Sequence, residues 1–212
     1  VKLVQKHVGD LPRYSGKKNR QVFGDYIAKT RLEKRHIQQA HCAIGTVAYG
    51  SHNKKRRPLS ILVNLLGGPA MNSRLNMTLR EKYGYVYAID ASYAAFHDVG
   101  LMSIFFGTEK KQLHPSIELI LKEFRNLRNK PLGVGQLHKA KEQYIGQMAM
   151  AEENNASLML MMGKSLLIYD KIESFKEVVQ HIRDISAATL HEVANEILDA
   201  EGLSFLYYVP KN

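Results

Sequence analysis

Leu65-Leu66-Gly67-Gly68-Pro69-Ala70-Met71-Asn72-Ser73-Arg74-Leu75, running on to Leu79-Arg80-Glu81-Lys82-Tyr83-Gly84-Tyr85-Val86-Tyr87-Ala88, encodes two helices and a strand in one stretch. Just upstream, Arg57-Pro58 opens a helix, with proline at an early position where its missing N–H costs little. Ile61, Leu62, Leu65 and Leu66 then recur at helical spacing, and Gly67-Gly68-Pro69 stops the run. A second, shorter helix is predicted from about Met71 to Lys82. Gly84 ends it, because glycine takes the left-handed conformation that closes a helix. Tyr85 to Phe96 alternates like a half-buried strand. This order places Arg80 in a last helical turn and Tyr87 early in a strand, on either side of one glycine.

Working outward, Gly100 to Gly107 reads as the partner strand, with Phe96-His97-Asp98-Val99-Gly100 as the hairpin turn. Toward the N-terminus, His36 to Tyr49 reads as a strand, and strand character also appears around Gln21 to Thr30. Residues 1–8 read as the end of a helix closed by Gly9-Asp10-Leu11-Pro12, and residues 13–24 have linker chemistry. After Thr108 helices dominate. Ile117, Ile120, Leu121, Phe124 and Leu127 share a face, and Gly135 to Glu153 is a long helix with Leu137, Ala140, Tyr144 and Met148 inward. Ala156 to Tyr169 is apolar nearly all round, which predicts a buried helix. Phe175 to Ile185 is amphipathic, Ser186 or Thr189 caps the helix that follows, and Leu203 to Val209 is a last strand. Strands grouped apart from helices give an α+β fold, with helices on one face of a mostly antiparallel sheet.

At 212 residues and 45% hydrophobic content the chain suits one domain with a sizeable core. No stretch is apolar for the ~20 residues that a spanning helix needs. The only cysteine, Cys42, permits no intrachain disulfide, which favours a reducing, cytoplasmic compartment. The chain starts with valine rather than methionine, which leads one to expect a fragment or a processed product. The net charge of +10 is concentrated in Lys17-Lys18-Asn19-Arg20 and Lys54-Lys55-Arg56-Arg57. Both runs read as solvated loops, with an anion-binding patch as the competing reading.

Nine histidines require a search for a metal site. His191-Glu192-Val193-Ala194-Asn195 begins like H-E-x-x-H, but Asn195 stands where the second ligand should be, and H-x-x-E-H is absent. His36 and His41 are five apart, so on one strand they would face opposite ways. Cys42 and His41 are adjacent and point apart for the same reason. Gly67-Gly68 follows a helix and lacks a Walker lysine, so it is no phosphate loop, and no G-x-S-x-G elbow is present. Tyr83, Tyr85, Tyr87 and Tyr93 sit in no recognised nucleic-acid motif and read as core and rim packing.

The stretch from Leu65 to Ala88 resembles a signature of the M16 (pitrilysin / mitochondrial-processing-peptidase-like) zinc peptidases, which runs roughly L-G-G-G-M-S-S-R-L-F-x-x-I-R-E-K-R-G-L-A-Y. Gln39-Ala40-His41-Cys42-Ala43-Ile44-Gly45 is similar to the family's strand entering the C-terminal half, and Val8-Gly9-Asp10-Leu11-Pro12 to the junction between halves. Thr189 to Val209 fits the closing helix and strand. Pro69-Ala70, Tyr83 and Tyr85 depart from the pattern. The resemblance implies an M16/LuxS-like metallohydrolase fold. Residues 1–24 would be the end of a preceding N-terminal domain with its linker, and residues 25–212 the inactive C-terminal domain.

It further implies a two-domain zinc metalloendopeptidase. Zinc would lie in the N-terminal partner domain on H-x-x-E-H and a downstream Glu, and none in this chain. This half alone would be inactive, completing a peptide-binding chamber. Arg80 and Tyr87 match an Arg and a Tyr that the family offers to the substrate backbone seven residues apart. A guanidinium can donate to a peptide carbonyl, and a phenol to the oxygen that turns negative in hydrolysis. The implied partners are the zinc-bearing domain and a peptide substrate, with a homodimer left open and neither nucleic acid nor membrane expected. The competing readings are a non-catalytic scaffold or assembly subunit of the same fold and, further off, a basic nucleic-acid-binding module.

Overall fold

The computed structural model describes residues 1–12 and 21–211. The Lys17-Lys18-Asn19-Arg20 run and most of the expected linker therefore lie outside the described residues. The described strands are β1 (Thr30–Arg35), β2 (Ala40–Ala48), β3 (Val86–Ala95), β4 (Gly100–Thr108) and β5 (Ser204–Pro210). They form one sheet in the order β1-β5-β2-β4-β3. β1 pairs with β5 in parallel, and every other pairing is antiparallel. The helices are α1 (Lys2–Val8), α2 (Arg56–Gly67), α3 (Leu113–Asn129), α4 (Val134–Glu152), α5 (Asn155–Tyr169), α6 (Phe175–Arg183) and α7 (Ala187–Ile197), with a π-helix at Asn76–Lys82.

The period-2 pattern of the strands decides which face is covered. Ala40, Cys42, Ile44 and Thr46 of β2 are buried beside Met102, Ile104, Phe106 and Thr108 of β4. Against them pack Leu59, Leu62 and Leu66 of α2, Ile120, Phe124 and Leu127 of α3, and Leu190, Val193 and Ala194 of α7. α4 lies on α2, and α5 and α6 lean on α4. The other face of the sheet carries exposed Leu101 and Phe105. The molecule is thus α+β, as its sequence pattern leads one to expect. No helix among the described residues is long and apolar enough to cross a membrane.

Three expectations need correction. The segment 21–29 is not a strand, and β1 begins only at Thr30. Val22 and Ile27 look strand-like but are exposed, and the segment is tied down by side-chain bonds instead. Phe23 N–H donates to Asp98 Oδ2 at 2.9 Å, and the Tyr26 hydroxyl meets Ser204 Oγ at 2.7 Å. The strand predicted over His36 to Tyr49 is confined to Ala40–Ala48, so His36 lies between β1 and β2. The largest difference is α5, which buries no residue. Leu160 and Leu166 are exposed, and Leu167 is 89% exposed. Its uniformly apolar composition carried no information about which neighbour covers it, and its one substantial neighbour is α4. Of the two candidate caps before α7, Ser186 is used, accepting the Thr189 N–H at 3.0 Å.

Candidate functional site

The helix before Gly84 is a π-helix, and its wider turn has a local cause. Tyr83 N–H reaches back five residues to Thr78 O at 3.2 Å, and Tyr85 N–H reaches six residues to Leu79 O at 2.8 Å. The first turn accommodates one residue more than an α-turn and the second two more; such π-turns are found often at functional sites. Leu75 and Leu79 bury its inner side. Asn76 and Ser73, both buried, satisfy one another through Asn76 Nδ2 donating to Ser73 Oγ at 2.8 Å. Gly84 then takes φ = +61°, with open space where a Cβ would stand. It holds the left-handed conformation expected of it.

The strand on the other side of Gly84 is irregular too. Val86 pairs with Thr108 and Ile89 with Phe106, so Tyr87 and Ala88 together stand opposite Gly107 alone. This is a β-bulge, and a bulge re-aims the side chains it carries. Tyr87 sits in it and is 87% exposed. Arg80 lies in the last turn of the π-helix with its side chain about half exposed, and among the described residues its ion-pair contact is Glu81, adjacent in sequence, at 3.6 Å. The two residues therefore flank one turn, each on an element containing an extra residue, and neither is consumed by the core. The π-turn leaves no mark in the residue pattern, and the bulge leaves only the three-residue spacing of apolar Val86 and Ile89.

Tyr83 and Tyr85, two of the departures from the family pattern, pack ring to ring with centroids 5.3 Å apart beside this turn. The Lys82 ammonium lies 5.4 Å from the Tyr83 ring centre. The third departure, Pro69-Ala70, forms a turn in which Ser73 N–H donates to Ala70 O at 3.0 Å. A cavity of about 960 Å³ lies elsewhere, lined by Tyr93 of β3, Tyr144 and Met148 of α4, and Met161, Met162 and Tyr169 of α5; neither Arg80 nor Tyr87 borders it.

The histidines do not converge to suit a metal. Among the described residues no three His, Cys, Asp or Glu side chains are grouped to hold one. His191 has another role: its Nε2 meets Arg128 O at 2.7 Å, and Asn195 Nδ2 donates to the same carbonyl at 3.2 Å, together closing the end of α3. His41 stacks on Phe105 across the sheet with centroids 5.8 Å apart, while Cys42 faces the core, where burial pushes its thiol up to about 12.

The second basic run is not a free loop, as the sequence suggested, and this correction bears on function. Lys55 Nζ donates to Glu192 at 2.9 Å and also bonds Glu196. Arg56 and Arg57 begin α2. Arg57 pairs with Glu173, and Arg56 lies 4.6 Å over the Tyr169 ring. Carboxylates thus pair Lys55 and Arg57, two of the four cations of this run.

The chain is 27% identical over 189 residues to a Bacillus subtilis (strain 168) protein named "Uncharacterized zinc protease YmxG", covering 82% of this chain and 46% of that protein. It is 26% identical over 170 residues to "Uncharacterized zinc protease SCO5738" of Streptomyces coelicolor, covering 80% of this chain and 37% of that one. The chain therefore spans less than half the length of these relatives. Among solved structures, a protease from Helicobacter pylori superposes with a TM-score of 0.85 at 17% identity, over 99% of this chain and 51% of that one. A peptidase M16 inactive domain from Pseudomonas fluorescens gives 0.81 at 16% identity, over 95% and 48%. These likenesses establish the fold. The sequence profile described as "Peptidase M16 inactive domain" matches residues 1–144, and the chain belongs to that family.

Proposed function

We propose that this chain is the non-catalytic half of a two-half zinc peptidase, completing a peptide-binding chamber and presenting Arg80 and Tyr87 to the substrate. The zinc would be held by a partner half, in keeping with relatives that are named zinc proteases and are about twice as long. Residues 1–24 would be the tail of that preceding half with its linker, and residues 25–212 the inactive domain. The observation that carries the reading is the turn at Gly84, where two exposed polar side chains flank a left-handed glycine on a π-helix and a β-bulge. The bulge also brings Val86 and Ile89, three residues apart, onto the same core face. In the proposed role the Arg80 guanidinium donates to a substrate carbonyl and fixes the peptide. The Tyr87 hydroxyl donates to the peptide oxygen as negative charge develops on it, an interaction stronger in the transition state than in the ground state.

The test is Tyr87→Phe in the peptidase reconstituted with its zinc-bearing half. Loss of one oxyanion donor lowers kcat by about 10²–10³. The fold survives, because Tyr87 is exposed. Unchanged turnover of a cleaved peptide would reject the role.

One observation favours a second reading, an assembly subunit of the same fold. The exposed apolar side chains of α5 are more than a solitary soluble helix ordinarily shows. That reading expects no dependence of any peptidase activity on Arg80 or Tyr87.

A further inference from the structure

We infer that Thr108 is a positioning residue for Arg80 and Tyr87, its hydroxyl fixing the turn that carries them; this rests on the reading of those two side chains as substrate contacts. Thr108 is the last residue of β4, is 3% exposed, and pairs in register with Val86. Its Oγ1 donates to Tyr85 O at 2.5 Å. The N–H of the same residue, Tyr85, donates to Leu79 O of the π-helix at 2.8 Å. Tyr85 is thus held by the helix through one backbone group and by the sheet through the other. It lies between Arg80 and Tyr87, next to Gly84.

The turn's other bonds run back into its own helix, from Tyr83 N–H to Thr78 O and from Gly84 N–H to Arg80 O, so Thr108 supplies a side-chain tie to the sheet. Nothing stands within 4 Å of the place where a Gly84 Cβ would be, so the turn has no packing contact there. On the far side the ladder is interrupted at once by the bulge at Tyr87 and Ala88, leaving Val86–Thr108 as the one regular pair between turn and bulge. An apolar side chain of the same shape would fill the buried position of Thr108 equally well. A hydroxyl there is tolerated only because it is bonded, and its acceptor is the backbone of this turn. Thr108 touches no substrate. It acts by keeping the bulge, and hence the phenol, in one place.

The experiment compares Thr108→Val, Thr108→Ser and Tyr87→Phe in the reconstituted peptidase, together with amide hydrogen exchange of residues 83–88 in the intact chain. Thr108→Val keeps shape and burial and removes the donor. It should lower kcat by about tenfold or more, since misplacing a catalytic group by ~1 Å can cost ~10²-fold, with KM changed less than about twofold. Exchange at Tyr85 and Val86 should quicken by about tenfold as the turn opens locally. Thr108→Ser should restore both. Wild-type turnover in Thr108→Val beside a slow Tyr87→Phe would overturn the inference alone. So would a Thr108→Ser variant as slow as Thr108→Val, or an effect confined to KM. If Tyr87→Phe is itself unimpaired, the functional reading falls and the inference with it. Should Thr108→Val not fold, Thr108→Cys, a small side chain with a weak donor, decides instead: wild-type turnover refutes and reduced turnover supports.

Discussion

Replacing Gly67 by alanine should destabilise this protein, although alanine is the better helix former. Gly67 is the buried last residue of α2, and an added Cβ would stand 2.8 Å from Ala91 Cβ and 3.0 Å from Ala91 N on β3. Two carbons prefer ~3.5–4.0 Å, so the contact would be about 0.7–1.2 Å too short. One obstacle is backbone and the other a methyl fixed to it, so no rotamer change relieves them. α2 would have to lift from β3, pulling at Leu62 and Leu66 in the core. Overpacking of this kind costs about 1–3 kcal/mol, against a helix gain of at most about 1 kcal/mol. The expected net loss is about 1–2 kcal/mol, or roughly 2–8 °C in Tm for a chain of this size. Thermal unfolding followed by circular dichroism reads it, with Gly146→Ala as the contrast. Gly146 lies inside α4 with nothing within 4 Å of its Cβ position, so alanine there should stabilise by about 0.5–1 kcal/mol. A Gly67→Ala variant melting at or above the parent temperature would refute the packing argument.

Two further outcomes follow from the electrostatics. Hydrogen bonds from Lys55, then from the Tyr49 hydroxyl, hold the Glu196 carboxyl below its ordinary value of 4.5. The stability this contributes is fully present above that value and is lost as pH falls through the lowered one. The Tm gap between the parent and Glu196→Gln should therefore be widest near neutral pH and close under acid, and a gap independent of pH would contradict the network. Cys42 is fully buried, with its thiol pushed up to about 12, so it carries almost no thiolate at around pH 8. A thiol-reactive disulfide reagent should label the native chain only as fast as it unfolds and the denatured chain at once; rapid native labelling would show that β2 is open.

The fold between Leu65 and Ala88 was legible because glycine and proline act locally: Gly84 has the positive φ that its position required. β1 was missed for an equally physical reason. Its sequence, Thr-Arg-Leu-Glu-Lys-Arg, is almost all charged and exposed, as suits a sheet edge that must not recruit other chains. Pairing there is made by backbone groups, which residue type does not reveal, whereas apolar Val22 and Ile27 drew the eye to the wrong segment. α5 misled in the opposite direction, since composition reports how apolar a helix is and not what covers it. At the candidate site, motif spacing pointed to Arg80 and Tyr87. The π-turn and the bulge that present them are local shifts in hydrogen-bond partner, and the bulge leaves a single trace, the three-residue spacing of buried Val86 and Ile89. Thr108 was likewise unmarked, because its role depends on meeting a carbonyl from another strand.

The strand order β1-β5-β2-β4-β3 has a consequence for how the chain is made. Among the five described strands β5 emerges last from the ribosome, yet it lies inside the sheet, between the two of them that emerge first. While α2 to α7 emerge, β2 has β4 on one side and nothing on the other, and β1 has no partner among these strands. Their contact with β5 waits for residues some 170 positions downstream, such as Phe205 opposite Thr30. The growing chain thus carries an unsatisfied strand edge for most of its synthesis, and the sheet closes in one late insertion.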